Sequence, residues 1–167
     1  MERFLKSIEM SISNENWYGA LVLALSMPDI CAKVTNPNMG SKARYIDWYN
    51  RYMKEKYTSY IGADKKEHIF LCAEDCYALR CSFLHEGGDN IENQRAREVL
   101  KSFHFTIPQQ GFTVHMNQTN QTLQLQIDIF CTDVCESVRL WSDNENINDE
   151  HLNSLISLYD VNGNKVT

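Results

Sequence analysis

The apolar segment from Trp17 to Met27 constrains the fold of this chain more than any other feature. As a helix, it is hydrophobic around nearly its whole circumference as far as Ser26, and such a helix has to be buried among other elements. It is too short to span a bilayer, because Pro28 and Asp29 interrupt it. We therefore expect the central helix of a helical bundle, and no membrane partner.

Helical spacing of apolar residues predicts further helices on both sides of this one. Pro28 is expected to kink or interrupt the central helix, which then continues to about Val34. Asn14 is the predicted N-cap of the central helix, and Ser41 that of the next one. The predicted helices are 2–12, 15–34, one from Ser41 through Met53, one from Lys66 to His85, and 129–141. Gly87-Gly88 suits a left-handed C-cap after His85.

Residues 103–107, 113–116 and 123–127 alternate apolar and polar side chains, which is the periodicity of strands. The polar run 117–122 is the predicted turn between the last two. The fold prediction is therefore mainly α: a bundle of four to five helices with a small antiparallel β-hairpin inserted near residues 103–127. We expect one domain over 1–167, with a weakly structured tail after Asp143.

Charge and cysteine usage limit the class of protein. The N-terminus mixes acidic and basic residues where a signal peptide would be apolar, so we expect a cytoplasmic protein with six reduced cysteines. A net charge of −6 argues against a general nucleic-acid binder, but it permits a ribonuclease with a locally basic cleft. Arg95, Arg97 and Lys101 are candidate substrate-binding residues, and the alternative is that they lie on solvated faces.

Arg80 and His85 are the candidate catalytic residues. Histidine moves protons near neutral pH, and arginine offers a permanent charge in a planar fork that matches phosphate oxygens. Together they supply what RNA cleavage without a metal requires. On a regular helix, positions five apart lie about 140° apart, so the two are not on one stripe. Either the helix ends at His85 and redirects its side chain, or two chains pair across a two-fold axis.

The run from Tyr77 to Gly88, Tyr-x-Leu-Arg-x4-His-Glu-Gly-Gly, resembles the R-x4-6-H signature of the HEPN superfamily. These small helical proteins include ribonuclease toxins and phage-defence effectors, and the resemblance covers about residues 74–88. It implies a metal-independent endoribonuclease that needs no cofactor and leaves a 2′,3′-cyclic phosphate and a 5′-hydroxyl. It also implies a homodimer with a composite site, and an antitoxin or defence partner.

Four further residues are expected to support the motif. Asp29 interrupts an apolar helix, which is costly for a carboxylate unless it is paired, and Arg80 is the predicted partner. The alternative is an exposed restart of the helix. Nuclease members of the superfamily usually carry a polar residue after the arginine, whereas this chain has Cys81 followed by Ser82. Tyr77 is the first residue of the run that resembles the HEPN helix.

Other interpretations remain open. The same pocket suits a non-catalytic module that binds a nucleotide or a protein, and the hairpin suits a dimeric scaffold without pocket chemistry. A nucleophilic cysteine next to His85 lacks an oxyanion-hole signature. The aromatic residues after Ser41 recur at helical spacing and favour a core face over a base-stacking surface. Zinc binding is disfavoured because four cysteines sit in helical pairs and not on C-x2-C knuckles: Cys72, Cys76, Cys131 and Cys135.

Overall fold

The computed structural model describes residues 1–148 and 150–166. Within them lie five α-helices, which are α1 (Glu2–Ser13), α2 (Trp17–Thr35), α3 (Ser41–Tyr52), α4 (Ala73–Glu86) and α5 (Ile127–Asn144). The strands are β1 (Thr58–Ile61), β2 (Lys66–Ile69), β3 (Ser102–Thr106), β4 (Asn117–Thr119), β5 (Thr122–Gln126), β6 (Leu158–Tyr159) and β7 (Lys165–Val166). The prediction of a mainly helical fold is confirmed. Asp149 and Thr167, in the predicted tail, lie outside the described residues.

Helix α2 is the centre of the molecule, as its apolar sequence predicts. It packs against α1, α3, α4 and α5 and continues through Pro28. Its length and composition would suit a membrane span, but 44% of the span-length window is buried inside the molecule. The predicted cap was wrong: Asn16 caps α2 by accepting a hydrogen bond from the Gly19 N–H at 3.2 Å. Asn14 instead follows the end of α1.

The segment before α4 is a hairpin, so the prediction of one helix from Lys66 to His85 was wrong. Strands β1 and β2 pair antiparallel, with Ile61 opposite Lys66. The turn between them needs positive φ at Gly62 (74°) and Lys65 (46°), which a continuous helix does not allow. Strand β2 is largely exposed, and His68 is its half-buried side chain.

The three-stranded sheet has the order β3-β5-β4. A small antiparallel hairpin forms in the predicted region, between β4 and β5, with Asn120 in the turn at φ 57°. The prediction that 117–122 is all turn was wrong, because Asn117–Thr119 forms β4. Strand β3, however, runs parallel to β5. The predicted strand at 113–116 does not form, because this segment crosses the end of β5. There the Gln126 side chain accepts from the Val114 N–H at 3.2 Å, and the Gln126 N–H donates to His115 Nδ1 at 3.3 Å.

The core lies between the helices and one face of this sheet. The aromatic face of α3 is buried, which confirms its interpretation as core, and α5 contributes Phe130 and Trp141. Strand β5 supplies Leu123 and Leu125, and α5 begins at Ile127, the residue after β5 ends. The sheet and the bundle therefore share one hydrophobic interior.

Candidate active site

Helix α4 carries the motif and ends where the sequence predicts. Gly87 adopts the left-handed conformation (φ 70°), and its N–H donates to the Phe83 carbonyl at 3.0 Å. A side chain at this φ would be strained, which explains the glycine. His85 consequently lies in the last turn of the helix, where its side chain is exposed. The predicted C-cap is confirmed.

Asp29 organises the charged cluster beside α4. Its carboxylate accepts from Arg80 Nη2 at 3.0 Å, which confirms the predicted ion pair. It also accepts from Arg44 Nη2 at 3.0 Å and from the Ser41 hydroxyl at 3.1 Å. The side chains of Asp29, Arg44 and Arg80 are only 12%, 16% and 20% exposed. One carboxylate between two guanidinium groups leaves a net positive charge, which favours an anion at the rim of the cluster.

Arg80 also reaches His85 within one chain. Its Nη1 lies 3.4 Å from His85 Nε2. The two positions are on different stripes of α4, as predicted, but the long arginine side chain spans the difference. Neither a redirected helix end nor a second chain is needed to bring these two groups together. The Arg80 Nε is buried and has no partner among the described residues.

Arg44 and Ser41 were not predicted as parts of this cluster. Ser41 was predicted as the N-cap of α3, but Gly40 occupies the cap position and Ser41 is the first helical residue. Its hydroxyl is therefore free to donate to Asp29. Ser41 and Arg44 are three residues apart and share one face of α3. That spacing was the available signal, but nothing local in the sequence indicates that this face meets Asp29.

The three supporting residues on α4 differ in their placement. Tyr77 and Cys81 are half-buried, one turn apart on one stripe, and His85 continues that stripe. Burial raises the pKa of the Tyr77 hydroxyl, and the nearby Cys81 thiol raises it further. Ser82 is buried on another face, where its hydroxyl donates to the Asn90 carbonyl at 2.9 Å. Ser82 thus anchors the following loop and does not face the Asp29 cluster.

The loop 89–101 is fastened across α4, chiefly by Asp75. This carboxylate is 1% exposed and accepts hydrogen bonds from the backbone N–H groups of Glu98 (2.6 Å), Val99 (3.1 Å) and Leu100 (3.0 Å). At the other end of the helix, Gln94 Nε2 donates to Glu86 Oε1 at 3.1 Å. Asp75 was not predicted as a functional or structural residue, because an acidic residue in a first helical turn is common.

The three predicted substrate-binding cations do not act alike. Arg97 donates to the carbonyl groups of Glu92 (2.9 Å) and Leu100 (3.3 Å), and Lys101 pairs with Glu92 at 2.7 Å. Both therefore hold the loop together. Arg95 is exposed and faces a shallow cleft next to the Tyr77–Cys81 stripe. Of the three, the structure brings Arg95 to the motif helix.

A second polar cluster, partly buried, centres on Asp133 of α5. Asp133 accepts from the Tyr57 hydroxyl at 3.0 Å and from Lys56 Nζ at 3.2 Å, and His115 Nε2 lies 3.9 Å away. The His115 side chain is 9% exposed. Burial lowers the pKa of His115 below its ordinary value of 6.5, although Asp133 and Asp128 act in the opposite direction.

The cysteines are single thiols, and four of them are buried. All six are free. Burial raises the pKa of Cys76 and of Cys135 to about 12, so both stay protonated. In residues 1–148 and 150–166, no group of three or more histidine, cysteine or acidic side chains is arranged to hold a metal ion.

Comparison of the chain with models of protein families, with curated proteins and with solved structures found no match.

Proposed function

We propose that this protein is a metal-independent endoribonuclease of the HEPN type, with Arg80 and His85 as its catalytic residues. The observation that carries the proposal is the exposed His85 imidazole, 3.4 Å from a guanidinium that is itself held by Asp29. A proton carrier and a fixed positive charge thus meet at the surface, where a phosphodiester has access to both.

In the proposed reaction the 2′-hydroxyl of a ribose attacks the adjacent phosphorus. The O2′–P bond forms, the P–O5′ bond breaks, and the proton of the 2′-hydroxyl is passed on to the leaving 5′-oxygen. His85 carries a proton in this transfer, and Arg80 stabilises the negative charge that builds on the phosphate oxygens. The products are a 2′,3′-cyclic phosphate and a 5′-hydroxyl. Asp29 is a positioning residue, because it fixes the guanidinium plane of Arg80 and touches no reacting atom.

We further propose that the active form is a homodimer, as the HEPN resemblance implies. The His85 end of α4 is open to solvent, so a second copy has room to approach it. Light scattering of the purified protein measures this directly, and a particle with twice the chain mass of 19.4 kDa is the expected result. A cytoplasmic location and a role in phage defence or a toxin–antitoxin pair complete the proposal, and free cysteines accord with that compartment.

The test is RNA cleavage in EDTA by the wild type and by His85→Ala. General acid–base catalysis contributes about 10²–10⁴-fold, and we expect a loss of that size. His151→Ala is the matched control, since it removes another exposed histidine far along the chain. Asp29→Asn should lower kcat more than it changes KM, with the protein still folded by circular dichroism. Cleavage retained by the double variant Arg80→Ala, His85→Ala would refute the assignment.

A non-catalytic binding module is the second candidate, favoured by one observation. Cys81 stands where nuclease members usually carry a polar residue, and its side chain is only half-exposed next to Tyr77. A folded wild type that cleaves no RNA but binds a nucleotide, with binding lost in Arg80→Ala, would favour this reading over the nuclease.

A further inference from the structure

A shallow cleft of about 450 Å³ lies beside the Tyr77–Cys81 stripe of α4. It is bounded by the start of α3, by α4 and by the loop 93–96. Its walls carry Lys42 from α3, Tyr77 and Cys81 from α4, and Arg95 with two amide side chains from the loop. Hydroxyl, amide, ammonium and guanidinium groups therefore converge on one small space. All of them donate hydrogen bonds, and this composition suits an oxyanion.

In the described part of the chain, the two cations of this cleft lack the ion pairs that hold neighbouring cations such as Arg44 and Lys101. The side chains of Lys42 and Arg95 are exposed, and neither forms an ion pair or a hydrogen bond with any residue in the described ranges. Glu86 is the carboxylate on the wall, and the hydrogen bond that it accepts from the neutral Gln94 amide leaves its negative charge in place. Two cations against one carboxylate leave the cleft lining with a net charge of +1, which is locally positive in a chain with a net charge of −6.

The position of Arg95 is also built into the fold. The buried Asp75 carboxylate fastens residues 98–100, the Ser82 hydroxyl fastens Asn90, and Gln94 is bonded to α4 immediately before Arg95. The loop backbone around Arg95 is therefore ordered before any ligand arrives, which lowers the entropic cost of binding. His85 lies one turn beyond Cys81 on the same stripe, so the cleft leads toward the candidate catalytic pair.

We propose that this cleft binds a backbone phosphate of an RNA strand, next to the phosphate that is cleaved, with Lys42 and Arg95 as its charged contacts. This proposal rests on the proposed function, since it places the strand relative to Arg80 and His85. Phosphate contacts of this kind fix the register of a strand without reading its sequence. The cleft would thus position the RNA, and it would not select a base.

The test is fluorescence anisotropy with a labelled RNA oligonucleotide that carries 2′-O-methyl groups throughout and cannot be cleaved by the proposed reaction. Affinity is measured over a series of KCl concentrations for the wild type and for Lys42→Ala, Arg95→Ala. Each phosphate contact on a single strand contributes about 0.7 to the slope of log Kd against log salt, so the double variant, which loses the one phosphate held in the cleft, should lower the slope by about 0.7. Lys6→Ala, Lys66→Ala removes two other exposed lysines and should keep the wild-type slope.

The outcomes separate this proposal from the nuclease proposal. Equal slopes for both double variants would overturn the cleft, even if the wild type cleaves unmodified RNA. A reduced slope in the Lys42, Arg95 variant would support the cleft, even if the wild type cleaves nothing. Inorganic polyphosphate competing as well as unlabelled RNA of equal charge would overturn the assignment to RNA. Circular dichroism melting checks that each variant is folded.

Discussion

Replacing Asp75 with alanine should destabilise the protein far more than its place in a first helical turn implies. The Leu100 N–H belongs to a residue that is 1% exposed, and it would lose a charge-assisted hydrogen bond worth about 1.5–3 kcal/mol. Glu98 and Val99 are exposed residues, so water replaces the carboxylate there, and each adds about 0.5–1 kcal/mol. The expected loss in free energy of unfolding is about 2.5–5 kcal/mol.

Urea unfolding followed by circular dichroism measures this loss, and Glu74→Ala is the matched control. Glu74 is also acidic and in the first turn of α4, but its effect should be limited to the helix dipole, about 0.3–1 kcal/mol. Hydrogen exchange should quicken at the amides of residues 98–100 in Asp75→Ala alone. If the two variants lose equal stability, the carboxylate does not fasten the loop and the reasoning fails.

Two further perturbations test other parts of the structure. Gly87→Ala should lower the free energy of unfolding, measured in urea, by about 1 kcal/mol, because φ is 70° at this position. Gly87→Asn should lower it less, since asparagine tolerates the left-handed conformation better. An unchanged urea midpoint for Gly87→Ala would contradict the assignment of the C-cap. The pKa of His115 is lowered in the folded state, so the unfolded chain binds the proton first and stability falls as pH drops below about 6.5. Urea titrations from pH 7.5 to 5.5 should show a smaller fall in His115→Gln, and an identical fall would show that another group is responsible.

The part of the site that could be predicted from the sequence follows from one unfavourable local feature, a carboxylate in an apolar helix. A carboxylate inside an apolar helix needs a cation, and Arg80 is the partner that both the sequence reasoning and the structure assign to Asp29. Arg44 was not predictable in the same way, because its contact depends on how α2 and α3 cross. The face of α3 that meets Asp29 is set by the core packing of Tyr45 and its neighbours, which no local pattern reveals.

The errors in the predicted fold likewise arise where contacts between distant parts of the chain decide the structure. Apolar residues such as Leu71 immediately precede α4, so helical periodicity seemed to continue backward into β2. The pairing that makes β2 a strand comes from β1, across a turn that depends on two positive φ angles. Similarly, alternation revealed β3 and β5 but not their parallel direction. That direction depends on residues 113–116 crossing the end of β5, and those contacts are not local to either strand.

Strand β5 passes directly into α5, and this junction fixes the rotation of the helix relative to the alternating side chains of the strand. No residue separates Gln126 from Ile127, so the facing of Leu123 and Leu125 determines which side of α5 meets the core. One inserted residue at this junction would rotate the helix by about 100° and turn Phe130 and Trp141 away from the interior. Length variation is accordingly tolerable in the exposed segment 107–113 but not at this junction.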